Sequence, residues 1–260
     1  MGFEVGVKFG WMAFGLGFLT AVHAGTPMET ETATTLPRNT FEVSGALEYQ
    51  TSSEGKEMAV PLAFEYGVLD NLEIMLEPTV YTSIMPNSGT ESKGLGDVEI
   101  TLNYNFLKDH GGVPALSVAG EVKIPTADDL NIGTTATDYA GYLAASKTLG
   151  TFTLHGNLSY TIVGAPKGTT LNNLYAVSAA VEQSLSPHWH WLAEVLANNT
   201  FAADTGGPEN PLFPEASGGE LTGTLGLRYL INPKLALSVG VTYDNNNAIL
   251  IAPGLTCNFP

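Results

Sequence analysis

Charge is scarce in this chain of 260 residues: 14% of them are charged, against about 25% in an ordinary soluble domain. A typical soluble surface needs more. Basic residues are scarcer still, 10 lysines and arginines against 26 acids for a formal charge of -16, and they form no cluster. A nucleic-acid partner is thereby excluded, because phosphate contacts require grouped Lys and Arg. The single cysteine, Cys257, excludes an internal disulfide and a multi-cysteine metal site. No apolar run beyond the N-terminus reaches the length of a membrane-spanning helix, and the helical period is almost absent. No energy-coupling motif occurs, and neither a metal nor an organic cofactor is expected.

What is present is 44% hydrophobic residues together with 29 glycines and 15 prolines, a composition that favours short strands joined by turns. At the N-terminus Lys8 precedes the apolar run Phe9 to Ala21, and Val22-His23-Ala24 places small residues where a signal peptidase reads them. Residues 1–24 are therefore expected to be a signal peptide cleaved after Ala24. Its run is shorter than the roughly 20 residues needed to cross hydrocarbon as a helix. Residues 25–39 read as a polar periplasmic tail, and residues 40–260 as a transmembrane β-barrel.

From Phe41 the sequence alternates apolar and polar at period two, the mark of strands with two different faces. Phe41, Val43, Gly45, Leu47 and Tyr49 oppose Glu42, Ser44, Ala46 and Glu48. Met58, Val60, Leu62, Phe64 and Tyr66 oppose Glu57, Ala59, Pro61, Ala63 and Glu65. Leu72, Ile74, Leu76 and Val80 oppose Glu73, Met75, Glu77 and Thr79, and Val98 to Phe106 repeats the pattern against Asp97, Glu99, Thr101, Asn103 and Asn105. Further runs follow at 116–124, 139–148, 152–162, 174–183, 190–198, 221–229, 235–243 and 249–259. Twelve strands of about nine to eleven residues result, the length that a tilted strand needs to cross a bilayer. Two of them, 139–148 and 174–183, carry small residues on both faces and leave their phase open.

The connections alternate in length as outer-membrane barrels require, with short periplasmic turns and longer external loops. Leu69-Asp70-Asn71, 108–112, Gly150, 186–189 and 231–233 are compact, whereas 83–96, 125–137, 165–170 and 201–219 are longer. Alternation alone does not say which face meets solvent. Strand length, the leader and tyrosines near strand ends (Tyr49, Tyr66, Tyr104, Tyr160, Tyr229, Tyr243) favour lipid outside. Twelve carboxylates, Glu42, Glu48, Glu57, Glu65, Glu73, Glu77, Asp97, Glu99, Glu121, Glu182, Glu194 and Glu220, share the other face. A dry core could not hold them; a hydrated lumen can. A soluble sandwich with these acids facing water is the alternative. At the C-terminus Phe259, Cys257, Leu255 and Ile251 share one face, the aromatic-ended strand that barrel-assembly machinery reads, with Pro260 following it.

Lys93-Gly94-Leu95-Gly96-Asp97-Val98 leading into 101–106, Glu121-Val122-Lys123-Ile124-Pro125-Thr126 and Ser146-Lys147-Thr148-Leu149-Gly150 form a set of short motifs. Leu36-Pro37-Arg38-Asn39-Thr40-Phe41-Glu42, Leu227-Arg228-Tyr229-Leu230 and Asn232-Pro233-Lys234-Leu235 extend it. With them the chain resembles the outer-membrane barrel family named for the meta-pathway of phenol degradation, over nearly all of its length after the leader. The resemblance implies an outer-membrane transporter and carries over no catalytic residues.

Several residues invite sharper readings. His155, Asn157 and Ser159 share a strand face, the residue types of an outer-membrane phospholipase. Alternate strand positions lie about 6 to 7 Å apart, too far for direct contact, so a polar lumen stripe is the simpler reading. His188 and His190 flank Trp189 without a third ligand nearby and read as a short turn with interfacial Trp189 and Trp191. Asp128 and Asp129 lack calcium-loop spacing. Lys123, Lys147 and Arg228 are expected to face the carboxylates and pair across strands. The acids still outnumber them, so an open pore should prefer cations and neutral solutes. In the longest loop, Leu212 and Phe213 sit among Pro208, Pro211 and Pro214 as candidates for a constriction. The expected function is a passive channel in the bacterial outer membrane for small or moderately apolar solutes, with outer-membrane lipid as its surroundings. The lumen candidates are the acids above together with Lys123, Lys147, His155 and Arg228. A lipid-acting enzyme and a closed structural or adhesive barrel are the alternatives.

Overall fold

The computed structural model describes residues 28–129, 131–133, 135–166, 171–199, 220–245 and 247–259. The expected signal peptide, 1–24, and the constriction candidates Leu212 and Phe213 lie outside these residues. Its strands are β1 (Phe41–Ala46), β2 (Glu48–Thr51), β3 (Gly55–Leu69), β4 (Leu72–Pro86), β5 (Ser92–Gly94), β6 (Val98–Leu107) and β7 (Ala115–Ile124). They continue as β8 (Asp138–Leu149), β9 (Phe152–Ile162), β10 (Leu174–Ser184), β11 (Trp189–Asn198), β12 (Glu220–Asn232), β13 (Leu235–Asp244) and β14 (Ile249–Phe259).

All pairings are antiparallel, and β14 closes the sheet by pairing with β1, Phe41 opposite Phe259, and with β2, Ile249 opposite Thr51. The result is a closed barrel of twelve staves. β1 and β2 form one stave, interrupted at Leu47. Pro253 on β14 stands opposite Leu47 and Pro61 on β3 opposite the adjoining Ala46, and neither proline has an N–H to return to the ladder. The Leu47 N–H still donates to the Pro253 carbonyl at 2.9 Å. β5 is not a stave: it pairs only with the outer end of β4. The stretch expected as a loop from Ser83 is therefore partly strand, because residues 83–86 continue β4 against β3.

The period-two faces separate as the alternation requires. Outward-facing apolar side chains are exposed throughout, including Leu102, Leu143, Leu158, Val177 and Leu225, which is the exterior that hydrocarbon solvates. The inward positions carry Glu, Thr, Ser and Asn, nearly all buried. At the seam the Phe41 ring lies 6.5 Å from Phe64 and 6.2 Å from Phe259, an aromatic group at the mouth where both ends of the wall meet. Leu158 sits near the middle of β9 on the outer face. Leu158→Arg should lower the unfolding free energy of the bilayer-embedded barrel by about 2–4 kcal/mol, read as a fall in the urea midpoint in liposomes. An unchanged midpoint would place this face away from lipid.

The two strands of open phase are settled by their interior. On β8 the inner positions are Asp138, Tyr142, Ala144 and Ser146; on β10 they include Ser178, Ala180 and Glu182. The small inner residues make room for another piece of the chain. Met28 packs on Ala180 and Leu192, and Ala33 packs on Ala115 and Ala144. The segment expected as a polar periplasmic tail instead lies inside the barrel over residues 28–33, where all six residues but Glu29 are buried.

Candidate functional site

The N-terminal segment has no strand partner, so its backbone N–H groups must find acceptors elsewhere. Wall carboxylates and hydroxyls supply them. Glu194 on β11 accepts from the Thr30 N–H at 2.6 Å, the Thr30 hydroxyl at 2.5 Å and the Glu29 N–H at 3.2 Å. Ser146 Oγ accepts from the Ala33 N–H at 2.9 Å, and the Asn105 amide donates to the Ala33 carbonyl. Glu73 accepts from the Leu36 N–H at 2.6 Å. The segment then leaves the lumen past Gly67, where a Cβ would collide with the Pro37 and Leu36 carbonyls, and turns at Asn39 with φ 64° before β1 begins.

Around this segment stand most of the sequence candidates. Glu42, Glu65, Glu73, Glu99, Glu121 and Glu194 are buried on the inner face, with Glu65 fully enclosed. Glu48, Glu77, Glu182 and Glu220 are partly buried on the same face. Tyr142 donates to Glu121 Oε2 at 3.0 Å and Thr101 donates to the same oxygen at 3.3 Å, while Asn198 donates to Glu220 at 3.1 Å. Asp97 lies just before β6 and ties two long loops together by accepting from the Thr126 and Ala127 N–H groups, both at 3.0 Å. Asp128, expected as a solvated charge, accepts from the Leu95 N–H at 2.7 Å in the same cluster.

The bases divide. Lys123, 3% exposed, places Nζ 2.5 Å from Asp138 and 3.6 Å from Asp97, the cross-strand pairing expected of it. Arg228 faces inward with Glu42 and Glu182 around a cavity of about 330 Å3, and forms no ion pair among the described residues. Lys147 is a correction. It occupies the opposite parity from Tyr142, Ala144 and Ser146, and its Nζ reaches Asp109 at 2.5 Å and the Gly111 carbonyl in the turn after β6. Adjacent strand residues point to opposite faces, so a lysine next to an inward Ser146 cannot also point inward. The Lys147 hydrogen bond, assisted by the Thr148 N–H, holds the exposed Asp109 carboxyl below the usual range.

His155 Nδ1 lies 2.9 Å from Ser146 Oγ, on the neighbouring strand β8. That hydroxyl also receives the Ala33 N–H, so it serves to hold the segment. His188 and His190 diverge: His188 Nδ1 meets the Leu230 carbonyl at 2.7 Å, while His190 Nδ1 lies 2.8 Å from Glu182 Oε1. Alternation did not flag Ser146, Asp138 or Glu31. Their signal was indirect, in small inner residues such as Ala144 and Ala180 that leave space unfilled.

A family model described as "Putative MetA-pathway of phenol degradation" matches residues 24–248. No curated protein matches the chain. Among solved structures, the KdgM porin in complex with disordered oligogalacturonate aligns with TM-score 0.56 at 9% identity, over 84% of this chain and 99% of that one. KdgM porin in a second structure aligns with the same score at 8% identity and the same coverage. The CymD monoaromatic hydrocarbon channel aligns with TM-score 0.45 at 9% identity, over 86% of this chain and 89% of that one. The porin likeness is one of fold: a closed antiparallel barrel of comparable size.

Proposed function

Starting from the fact that this chain belongs to the phenol-degradation family whose model it matches, we propose that it is a passive channel of the bacterial outer membrane, admitting small or moderately apolar solutes through an acidic lumen. The observation that carries this reading is the inner face itself. Among the described residues, buried carboxylates surround a passage that has two inward bases, Lys123, already taken by Asp97 and Asp138, and Arg228, so acids stay in clear excess. Such a lining attracts cations and repels small anions. The apolar exterior seats the barrel in lipid, and the aromatic end of β14 suits recognition by the barrel-assembly machinery. The porin-like fold and the family are in keeping with transport.

The test is a planar-bilayer recording of the refolded barrel under a potassium chloride gradient. Discrete steps with a cation-directed reversal potential are expected. An anion-directed potential would overturn the acidic-lumen reading. One observation favours a second reading, a closed structural barrel: the N-terminal segment occupies part of the lumen. Absence of steps even after that segment is removed would support the closed barrel over the channel.

A further inference from the structure

Where β8 turns into β9 at Thr148 and Thr153, the lumen holds a cavity of about 330 Å3 whose ionisable lining is Glu42, Asp109, His155, Glu182 and Arg228. Three of these have partners of their own. Lys147 pairs with Asp109 at 2.5 Å, His190 Nδ1 lies 2.8 Å from Glu182 Oε1, and His155 Nδ1 meets Ser146 Oγ. Arg228 and Glu42 do not. The Arg228 guanidinium forms no ion pair or hydrogen bond with any described residue, and its Nε is enclosed without an acceptor. Glu42, 7% exposed, likewise meets no described cation or donor. Its cross-strand neighbour is another acid, Glu65, a like-charged pair that the ladder alone disfavours. The cation and the acid also stand well apart. From Arg228 the paired row runs through Ser238 on β13 and Gly254 on β14 to Ala46 on β1, four residues along the strand from Glu42. Three strand spacings of about 4.8 Å and four residues of about 3.3 Å thus separate the two backbones. The two charges leave each other unpaired, yet both border one space.

From this arrangement we infer that the cavity is a binding site for short linear zwitterions, molecules with a carboxylate at one end and an ammonium at the other, as in the ω-amino acids. The guanidinium presents its donors in a planar fork that fits a carboxylate. An ammonium brings three donors and no acceptor, which suits Glu42 with Glu65 beside it. One molecule that meets both ends supplies each enclosed charge with the partner its surroundings lack. An α-amino acid, with both charges on one carbon, reaches only one of them. Hydroxyl-bearing residues such as Thr148 and Thr153 make up most of the remaining wall, so the site favours a slender polar ligand over a bulky hydrocarbon. Its volume falls at the lower end of small-molecule sites, about 300–1,000 Å3. A ligand of zero net charge also enters an acidic lumen without being repelled. The inference deepens the channel reading by naming a solute class, and rests on that reading for passage through the membrane.

The test is a ligand-observed NMR titration of the refolded full barrel in nonionic micelles with 4-aminobutyrate, its single-charge analogues butyrate and n-butylammonium, and its isomer 2-aminobutyrate. Saturable binding of 4-aminobutyrate is expected, with the other three weaker by about tenfold or more, as follows from the loss of one charge-assisted contact. Arg228→Gln should weaken 4-aminobutyrate by about tenfold and leave n-butylammonium no weaker. Glu42→Gln should do the same and leave butyrate no weaker. Heat-modifiable gel mobility identifies variants that have folded. Absence of saturable 4-aminobutyrate binding, or wild-type affinity in both folded variants, would overturn the site. Equal affinity for either single-charge analogue or for 2-aminobutyrate would overturn the ligand class. Binding of 4-aminobutyrate by a barrel that gives no bilayer steps would sink the channel while leaving the site standing, so the two failures are distinguishable.

Discussion

Removal of residues 28–36 should raise the single-channel conductance of the barrel severalfold while leaving its strands assembled. None of these residues belongs to a strand, so the ladder that closes the wall, β1 and β2 against β14, survives their loss. What disappears is a length of polypeptide that fills the passage from Met28 against Ala180 and Leu192 down to Leu36 at Glu73. The segment is held chiefly by hydrogen bonds to carboxylates, each contributing about 1.5–3 kcal/mol net. Glu194 alone accepts three of them. Glu194→Ala should therefore act as a partial deletion, converting steady low conductance into transitions between a low and a high level. Gly67→Val should act from the mouth, because its side chain would collide with the Pro37 carbonyl. Planar-bilayer recordings of the three variants give the answer. If all three conduct like the wild type, the segment does not limit the current.

The second large effect is expected at Lys123. This side chain is buried against Asp138 and Asp97 and stands on the inner face near Glu99 and Glu121. Replacing it by methionine keeps much of its volume and removes the positive charge that Asp138 and Asp97 meet. Breaking a buried pair by deleting one partner typically costs about 3–5 kcal/mol, because the remaining charge is left without compensation. Lys123→Met should accordingly lower the urea midpoint of the liposome-embedded barrel, and Lys123→Met/Asp138→Asn should recover a large part of the loss. A single variant as stable as the wild type would mean that water already screens the acids at this level.

The barrel could be read almost stave by stave because a wall with lipid on one side and water on the other imposes period two on every strand. The runs at Phe41, Met58, Leu72 and Val98 display it without interruption, and their inner acids stand where alternation puts them. Alternation failed where the exterior rule relaxes. Lys147 stands at the end of β8, within reach of a turn, and there a long cation can face outward and fold back on Asp109. Nor could alternation find the lumen segment, since 28–36 is polar, has no partner strand and satisfies its backbone with side chains far away in sequence, Glu194 and Ser146 among them. Its trace was the smallness of Ala144 and Ala180, which looked like weak strand patterning and was in fact complementary shape.

The segment enters through the mouth at which the wall both starts and finishes, close to the Phe41 to Phe259 seam. It precedes the first stave and loops around none of the others. Over its described length it is thus a cork, not a thread: pulling it back past Gly67 breaks side-chain contacts but no rung of the sheet, and no topological obstacle stands between the filled and the emptied barrel.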